Sequence, residues 1–354
     1  MTCIKTKLLS GFVLAFTCQL GFGVTLNILE WEGYISPYEK DIQAYAKSKG
    51  IDLKLNIVKP FITNPEQIFQ VARRKGADLV TPTHNYYKTK NGQLFNVLLP
   101  IDTKKLENYS KILDSLRNAD YDKKGNDKYS VPLLGGSYGL AYNLNKMSEA
   151  PKSWEVLWDK KYKGQFAITN DQFEANIYIT LLVLGYPPAS FYDIKKSNMK
   201  EAQVQSKLNE LVANSGKFWA GWAEPAIMKD NVFVTTYWFG VAAANNEGQK
   251  WKLASPKEGQ TVWLDTMALA EHLKNDASKL EAAYLVMNYM LTKKAQQKLF
   301  KDYGSVIVNT EAAKADGNDY TTFFKEEYFW QPLTARTRGI YKTMWEKAKD
   351  AAKK

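Results

Sequence analysis

The chain has 354 residues, of which 45% are hydrophobic and 24% are charged, and its formal net charge is +11. This balance excludes a disordered protein, and the length predicts two lobes rather than a single hydrophobic core. The basic residues alternate with acids and amides along predicted helices, which is typical of solvated helix faces. We therefore expect no nucleic-acid partner despite the positive charge.

Residues 1–23 have the pattern of a secretory signal peptide. Two lysines precede an uncharged apolar stretch, 8–20, which is too short to span a bilayer comfortably. We expect cleavage near Gly23 and a mature protein in the periplasm, with lipid attachment at Cys18 as the alternative. Because both cysteines lie in this segment and the chain has only two histidines, we expect no disulfide, no metal site and no cofactor.

The first part of the mature chain alternates strand and helix patterns. The strand-like segments are VTLNIL, IDLKLNIVK and ADLVTPT. A helix is predicted to begin with Ser36 as its N-cap and Pro37 at its first position and to end at Gly50, and NPEQIFQVARRKG forms a second helix. This alternation predicts a parallel sheet covered by helices, with ligands bound at the carboxyl ends of the strands.

A second unit begins after the segment YSVPLLGGSYGLAYN. It contains the predicted strands QFAITND and NVFVTTYWFG and a long helix after Asp171, whereas the strand TVWLDTMALA returns to the first unit. Two amphipathic helices and a final basic amphipathic helix follow. We assign one lobe to residues 24–137 and 264–305 and the other to residues 138–263 and 306–354. Because the chain crosses between the lobes more than once, we expect a hinge with a cleft beside it.

Aromatic and acidic residues recur together at the predicted loops and strand ends, and no basic residue accompanies them. A protonated amine that leaves water needs carboxylates or other oxygen acceptors, and Trp and Tyr faces attract its charge. Carboxylates spaced along an aromatic groove therefore fit a flexible organic polycation. The residues are Trp31, Glu32, Tyr34, Thr83, Tyr86 or Tyr87, Asp171, Glu174, Trp238, Trp263, Asp265, Trp330 and Gln331.

Some of these residues also have ordinary structural explanations. Asp171-x-x-Glu174 matches a capping box in front of an apolar helix, and such a cap is compatible with ligand binding. Asp265 stands inside the apolar strand VWLDTMALA, where a carboxylate is costly unless it is paired, and this makes it the strongest candidate. We interpret His84 as a structural or rim residue rather than a catalyst.

Several longer motifs follow one another in a recognisable order. They are LEWEGY, ADLVTPT, YSVPLLGG…GLAYN, SWEVLWDKKYKGQFAITNDQFE, YWFG, PKEGQTVWLDTMALAEHLKN, AAYLVMNYML and FWQPL. Over essentially the whole mature chain this order resembles the spermidine/putrescine-binding periplasmic proteins of ABC uptake systems. The resemblance implies an α/β fold of the type II periplasmic binding protein class, in which two lobes joined by a hinge close over the ligand.

The same resemblance implies a polyamine ligand of the spermidine, norspermidine or putrescine class and a set of ligand contacts. These contacts are the first-lobe aromatic residues Trp31 and Tyr34, the hydroxyl of Thr83, the acidic pair Asp171 and Glu174, the ring walls Trp238 and Trp263, the central amine-binding carboxylate Asp265 and the amide of Gln331.

Three places depart from the family pattern. Glu32 stands where a small hydroxyl residue is usual, and we hypothesise that its added charge favours a longer or more highly charged amine. An insertion around THNYY leaves Asn85, Tyr86 and Tyr87 as candidates for the family's tyrosine, and we choose Tyr86. Ser305 stands where a tyrosine is expected.

Two kinds of membrane partner fit such a protein. We expect a monomer that binds polyamine and presents it to an inner-membrane ABC permease for uptake. The alternative is a sensor that reports polyamine to a membrane receptor for cyclic-di-GMP or biofilm signalling. An exported hydrolase fits poorly, because Asp171 and Glu174 lie on one helical turn and no nucleophile elbow, metal motif or triad occurs in the sequence. We therefore expect a protein that is not an enzyme.

Overall fold

A computed structural model describes residues 23–194, 198–315, 317, 320 and 323–353. The predicted signal peptide, apart from its last residue, lies outside this part of the chain, as does its alternative lipidation site. None of the helices that the described residues form is both long and apolar enough to cross a membrane.

Strands and helices alternate over most of the described chain. The strands are β1 (Val24–Leu29), β2 (Leu53–Ile57), β3 (Leu79–Val80), β4 (Lys123–Lys124), β5 (Asp127–Lys128), β6 (Val131–Asn143), β7 (Phe166–Thr169), β8 (Lys217–Trp219), β9 (Phe233–Tyr237), β10 (Trp251–Leu253) and β11 (Val262–Leu269). The α-helices are α1 (Glu39–Ser48), α2 (Pro65–Arg73), α3 (Asp114–Arg117), α4 (Phe173–Val183), α5 (Glu201–Asn214), α6 (Pro225–Lys229), α7 (Trp238–Asn246), α8 (Ala277–Met290), α9 (Lys293–Tyr303), α10 (Thr310–Ala315) and α11 (Ala335–Ala352).

The larger sheet runs in the order β2-β1-β3-β11-β6-β9-β7-β8, and β10 pairs with β6. β1 is parallel to both β2 and β3, which confirms the parallel sheet predicted for the first part of the mature chain. β11 is antiparallel to β3 and to β6, whereas β7 is parallel to β8 and β9. The N-terminal strands are thus joined to the rest of the sheet through β11.

The long strand β6 connects the two halves of the molecule. Up to Ser137 its residues pair with β11, and from Tyr138 onward they pair with β9. All 13 of its residues are buried. Because one continuous strand changes partners in this way, the two halves share a backbone element that can serve as a hinge.

Two hydrophobic cores lie on either side of this change of partner. The sequence placed residues 306–354 in the second lobe, but Val306, Val308 and Phe329 pack in the first core. The backbone N–H of Val306 donates a hydrogen bond to the carbonyl of Gly135 in β6 at 2.7 Å, which fixes this segment to the first half of the sheet. The predicted lobe assignment is therefore corrected for this segment, and the chain enters the second core with α11.

The first helix also begins differently from the prediction. A 3₁₀ turn over Ser36–Tyr38 precedes α1. The backbone N–H groups of Ile35 and Ser36 donate to the buried carboxylate of Glu30, so Ser36 is not the N-cap. The helix stops just before Gly50, as predicted, and this glycine has a left-handed φ of +85°.

Close packing at the junction gives the first prediction. In a Gly135→Ala variant, the added methyl would lie 2.7 Å from the carbonyl oxygen of Trp263 and 2.8 Å from the ring of Phe324. We expect the free energy of unfolding to fall by about 1–3 kcal/mol because the backbone must shift to relieve this contact. Urea denaturation followed by circular dichroism measures the change.

Gly339→Ala in α11 is the matched control, because outside the adjacent backbone of the helix no described heavy atom lies within 4 Å of the added Cβ. Alanine stabilises a helix interior by about 0.5–1 kcal/mol relative to glycine, so this variant should be unchanged or slightly more stable. Equal stability of the two variants would contradict the close packing at Gly135.

Candidate ligand-binding site

A buried carboxylate lies beside the hinge strand. Asp265 belongs to β11, and only 4% of its surface is exposed. The hydroxyl of Tyr34 donates to Oδ2 at 2.7 Å, and the hydroxyl of Thr83 donates to Oδ1 at 2.5 Å. Each carboxylate oxygen thus accepts a hydrogen bond from a different loop of the first lobe, which fixes the orientation of the carboxylate.

The backbone around Asp265 is irregular. The register between β6 and β11 shifts between Asp265 and Thr266, as in a β-bulge, and such bulges redirect side chains. The hydroxyl of Thr266 donates to the carbonyl of Pro82 at 2.8 Å, and an isolated bridge pairs Thr83 with Asp265. The loop after β3 is therefore fixed to β11 by its backbone as well as by the Thr83 hydroxyl.

Burial raises the pKa of Asp265 from 3.8 to about 6, against the opposing effect of the hydrogen bonds from Thr83 and Tyr34. Burial also raises the pKa of the Tyr34 phenol far above its usual value, and the charge of Asp265 adds to this shift. Neither hydroxyl carries a positive charge. At neutral pH the site therefore holds an ionised carboxylate that neutral donors orient but do not neutralise.

The turn after β1 places Trp31 and Tyr34. The N–H of Tyr34 donates to the carbonyl of Trp31 at 3.2 Å, and Gly33 between them has a left-handed φ of +83°. The hydroxyl of Tyr303 donates to the Gly33 carbonyl at 2.6 Å, and its ring meets that of Tyr34 edge-on at a centroid distance of 6.0 Å. A Cβ at position 33 would lie 2.4 Å from that hydroxyl, so both the turn and the contact require glycine.

Tyr303 is a site residue that the sequence did not reveal. Ser305, the position at which a tyrosine was expected, is buried. α9 ends at Tyr303, and Gly304 then adopts a left-handed conformation that turns the chain. A tyrosine followed by a glycine at the end of a predicted helix is the sequence signal that could have indicated Tyr303.

In the loop that follows β3, the two candidate tyrosines, Tyr86 and Tyr87, have different surroundings. The ring of Tyr86 lies 6.4 Å from that of Trp31, and burial together with the charge of Asp265 raises its pKa. Tyr87 is fully buried, and its hydroxyl lies 2.8 Å from that of Thr266 in the core. These surroundings favour Tyr86 over Tyr87 as the cleft residue.

His84 connects three segments of the site. Its Nε2–H donates to the carbonyl of Trp330 at 2.8 Å, and its Nδ1 accepts from the N–H of Leu264 at 3.2 Å. Burial lowers its pKa to about 4, so the ring is neutral at physiological pH. Because Asp265 and Gln331 directly follow its two partners, the ring aligns the chain on both sides of the site.

Aromatic rings from both lobes meet near the carboxylate. Tyr237, the last residue of β9, lies edge-on to Trp263 and to Trp330, with a centroid distance of 6.2 Å in each pair. Burial raises the pKa of Tyr237 far above its usual value, and nearby carboxylates that include Asp265 add to the shift. The sequence analysis did not name Tyr237, because the neighbouring Trp238 was predicted to form the aromatic wall of the site.

Trp238 has different surroundings from Trp263. Its indole N–H donates to the hydroxyl of Ser137 at 2.8 Å. Its ring contacts those of Tyr320 and Phe323 at centroid distances of 6.3 and 5.5 Å. These neighbours belong to the hinge strand and to the first lobe, so Trp238 bridges the lobes, and its role as a ligand wall stays a prediction.

The capping box predicted for Asp171 and Glu174 is wrong. Gln172 is the N-cap of α4, and Asp171 Oδ2 instead accepts a hydrogen bond from the N–H of Gly221 at 2.8 Å. Glu174 Oε1 accepts a hydrogen bond from Nε of Arg338 at 2.8 Å. The expectation that no basic residue accompanies the acids is also wrong, because α11 brings Arg338 to this carboxylate.

Glu32 and Gln331 lie at the margins of these contacts. Glu32 is exposed, and its charge contributes to the raised pKa of Tyr303, about 12, of which burial is the main cause. The Gln331 amide donates to the carbonyl of Phe329 at 3.4 Å and lines a groove of about 660 Å³ with Tyr192. Of the predicted site residues, all of which are described, only Gln331 lines this groove. Ligand contact by either residue stays a prediction.

The site has the chemistry of cation binding. It combines an oriented, ionised carboxylate with aromatic faces, each of which can attract a cation by about 0.5–2 kcal/mol. Among the described residues, no group of three or more His, Cys, Asp or Glu side chains is arranged to hold a metal ion. The carboxylate and the aromatic faces are groups that an organic cation can contact.

In fold, the chain is a two-lobed α/β solute-binding protein. The family model described as bacterial extracellular solute-binding protein matches residues 77–328, and the chain belongs to this family. The crystal structure of a spermidine/putrescine ABC transporter substrate-binding protein, PotD, from Streptococcus pneumoniae superposes with a TM-score of 0.74 at 21% identity. The superposition covers 93% of this chain and 99% of that one.

Two curated relatives resemble the chain over most of its length. The spermidine/putrescine-binding periplasmic protein 1 of Haemophilus influenzae is 28% identical over 293 residues, which cover 82% of this chain and 77% of that protein. The spermidine/putrescine-binding periplasmic protein of Escherichia coli is 26% identical over 338 residues, which cover 92% of this chain and 91% of that protein.

The pKa of Asp265 predicts how ligand-free stability depends on pH. The folded pKa lies above the unfolded value, so this group stabilises the protein below pH 4, and the contribution is lost as the pH rises through 6. Relative to Asp265→Asn, wild type should lose up to about 3 kcal/mol of unfolding free energy across this range, because one pKa unit corresponds to about 1.4 kcal/mol.

Urea denaturation of both proteins between pH 4 and pH 7 measures this difference, in which the titration of other groups cancels. Glu281→Gln, which removes an exposed carboxylate on α8, is the control for the loss of a carboxylate at a solvent-exposed position. A difference between wild type and Asp265→Asn that did not change with pH would contradict the raised pKa.

Proposed function

We propose that this protein is a periplasmic polyamine-binding protein that closes over a di- or triamine between its lobes and presents it to an inner-membrane ABC permease. Asp265 carries the proposal, because it is a buried, ionised carboxylate and its side-chain donors in the described part of the chain are the neutral hydroxyls of Tyr34 and Thr83. The ligand class is that of spermidine, norspermidine and putrescine.

In this proposal Asp265 binds an ammonium group of the ligand. The hydroxyls of Tyr34 and Thr83 hold both carboxylate oxygens in place, and an incoming cation favours the ionised form. The rings of Trp263 and Tyr237 provide faces for the methylenes and for the charge. An ammonium that loses its hydration shell thereby gains a partner of opposite charge.

The other proposed contacts extend the site in both directions. Trp31 and Tyr86 form a ring pair in the first lobe, and Trp238 lies between the lobes. Further amines of a longer ligand would reach carboxylates away from Asp265, and Gln331 would supply an amide oxygen. The carboxylates proposed for this role are Glu32, Asp171 and Glu174.

The relatives support the ligand class, the location and the partner. The names of the two curated relatives describe spermidine/putrescine-binding periplasmic proteins, and identity extends over most of the chain in each case. The predicted signal peptide agrees with export to the periplasm, and we propose a monomer that docks to an ABC permease. A sensing role would use the same closure, and the two roles differ in whether loss of the gene lowers polyamine uptake.

We propose binding without chemical change of the ligand. Asp171 accepts a hydrogen bond from the backbone N–H of Gly221, and Glu174 is paired with Arg338, so both carboxylates are already engaged by other groups of the protein. Incubation with spermidine followed by mass spectrometry should return the polyamine unaltered. A new product that depends on the protein would contradict this part of the proposal.

Isothermal titration calorimetry with putrescine, spermidine and norspermidine tests the function. Wild type should bind at least one of them, and Asp265→Asn should bind about 150-fold to 5000-fold more weakly, because a buried ammonium without its ion-pair partner costs about 3–5 kcal/mol. Glu281→Gln serves as the control and should bind like wild type. Absence of binding to any di- or triamine, or full affinity in Asp265→Asn, would overturn the proposal.

Glu32→Gln tests the hypothesis on ligand length. If the exposed carboxylate of Glu32 binds an additional amine, the variant should lose affinity for the triamines spermidine and norspermidine while putrescine binding changes little. We expect a loss of about twofold to fivefold, as is typical of an exposed ion pair. Titration of the three ligands measures the ranking, and an unchanged ranking would contradict the hypothesis.

A further inference from the structure

The ion pair between Glu174 and Arg338 places a cation of the protein itself at a proposed amine-binding carboxylate. The Nε–Oε1 distance is 2.8 Å. The two partners differ in exposure, because 18% of the Glu174 side chain is exposed compared with 65% of that of Arg338. The carboxylate is thus the fixed, half-buried partner, and the guanidinium approaches it from the solvent side.

Both partners are supported within the second lobe. Glu174 lies in the first turn of α4, and Arg338 lies in the first turns of α11, which packs on α4 and α5. The guanidinium carbon of Arg338 lies 5.8 Å from the centre of the Phe173 ring. Because neither residue belongs to the first lobe, the pair can form whether the cleft is open or closed.

An ammonium that binds Glu174 must share the carboxylate with this guanidinium or displace it. Like charges that meet at one carboxylate repel each other, and the repulsion is strong where the surroundings exclude water. Arg338 can leave at low cost, because most of its side chain already faces solvent. Glu174 would then exchange the guanidinium of Arg338 for an ammonium group of the ligand, and its carboxylate would not be left unpaired.

Building on the proposed function, we infer that Arg338 is a resident counter-ion of Glu174 that competes with the ligand for this carboxylate. The pair weakens the binding of ligands whose second or third amine reaches Glu174, and it leaves a ligand held by Asp265 alone unaffected. Arg338 is therefore a specificity-determining residue, which reduces the advantage of a triamine over a diamine.

Arg338→Gln tests this inference, and Arg336→Gln is its matched control. Arg336 is exposed on the same helix, so the two variants lose the same charge from neighbouring positions. In calorimetry at fixed salt, Arg338→Gln should bind spermidine about twofold to fivefold more tightly than wild type, the range of a partly exposed ion pair. Arg336→Gln should bind like wild type.

A double-mutant cycle separates competition from a structural role. In a Glu174→Gln background the additional change Arg338→Gln should give no gain in spermidine affinity, because the contested carboxylate is absent. Equal affinities of Arg338→Gln and Arg336→Gln, or weaker binding in Arg338→Gln, would overturn the inference alone. If neither wild type nor Arg338→Gln binds any polyamine, the proposed function fails as well.

Discussion

The site depends on an ionised carboxylate that is buried beside the hinge and that forms no ion pair with any of the residues that the structure describes. Asp265 is tolerated there because Tyr34 and Thr83 each donate a hydroxyl hydrogen bond to one of its oxygens. Those donors are in turn fixed by the Gly33 turn and by the bridge between the loop after β3 and β11. The first lobe thus maintains, at an energetic cost, a negative charge that a bound cation would relieve.

The second lobe treats its acidic residues differently. Asp171 accepts a hydrogen bond from a backbone N–H, and Glu174 is paired with Arg338, so neither lies in the unbalanced state of Asp265. The two lobes therefore offer unequal halves of one site. In the proposed binding mode, an organic cation would gain most at the first lobe, and its contacts with the second lobe would replace interactions that the protein already makes.

Local sequence patterns predicted the parallel strands and the start of the return strand, because alternating apolar residues are a local signal. A lone acid in an apolar strand is also a local signal, and it made Asp265 the strongest candidate for ligand binding. Contacts between distant segments were not predictable in this way. Arg338 reaches Glu174 across a sequence separation of 164 residues, and Tyr303 contacts Gly33 and Tyr34 from a helix that lies about 270 positions further along the chain. Ser36 is not the predicted N-cap, and its backbone N–H donates to the carboxylate of Glu30 instead. No local sequence pattern indicates that Glu30 is buried.

The position of β11 in the sheet has a consequence for the order of assembly. β3 reaches the remainder of the sheet through a strand that follows the whole second lobe in the sequence. The edge of β3 that faces the rest of the sheet is therefore paired only once β11, Val262–Leu269, is present. A chain that ended before β11 would leave the edge of β3 unpaired, and an unpaired strand edge can pair with other chains.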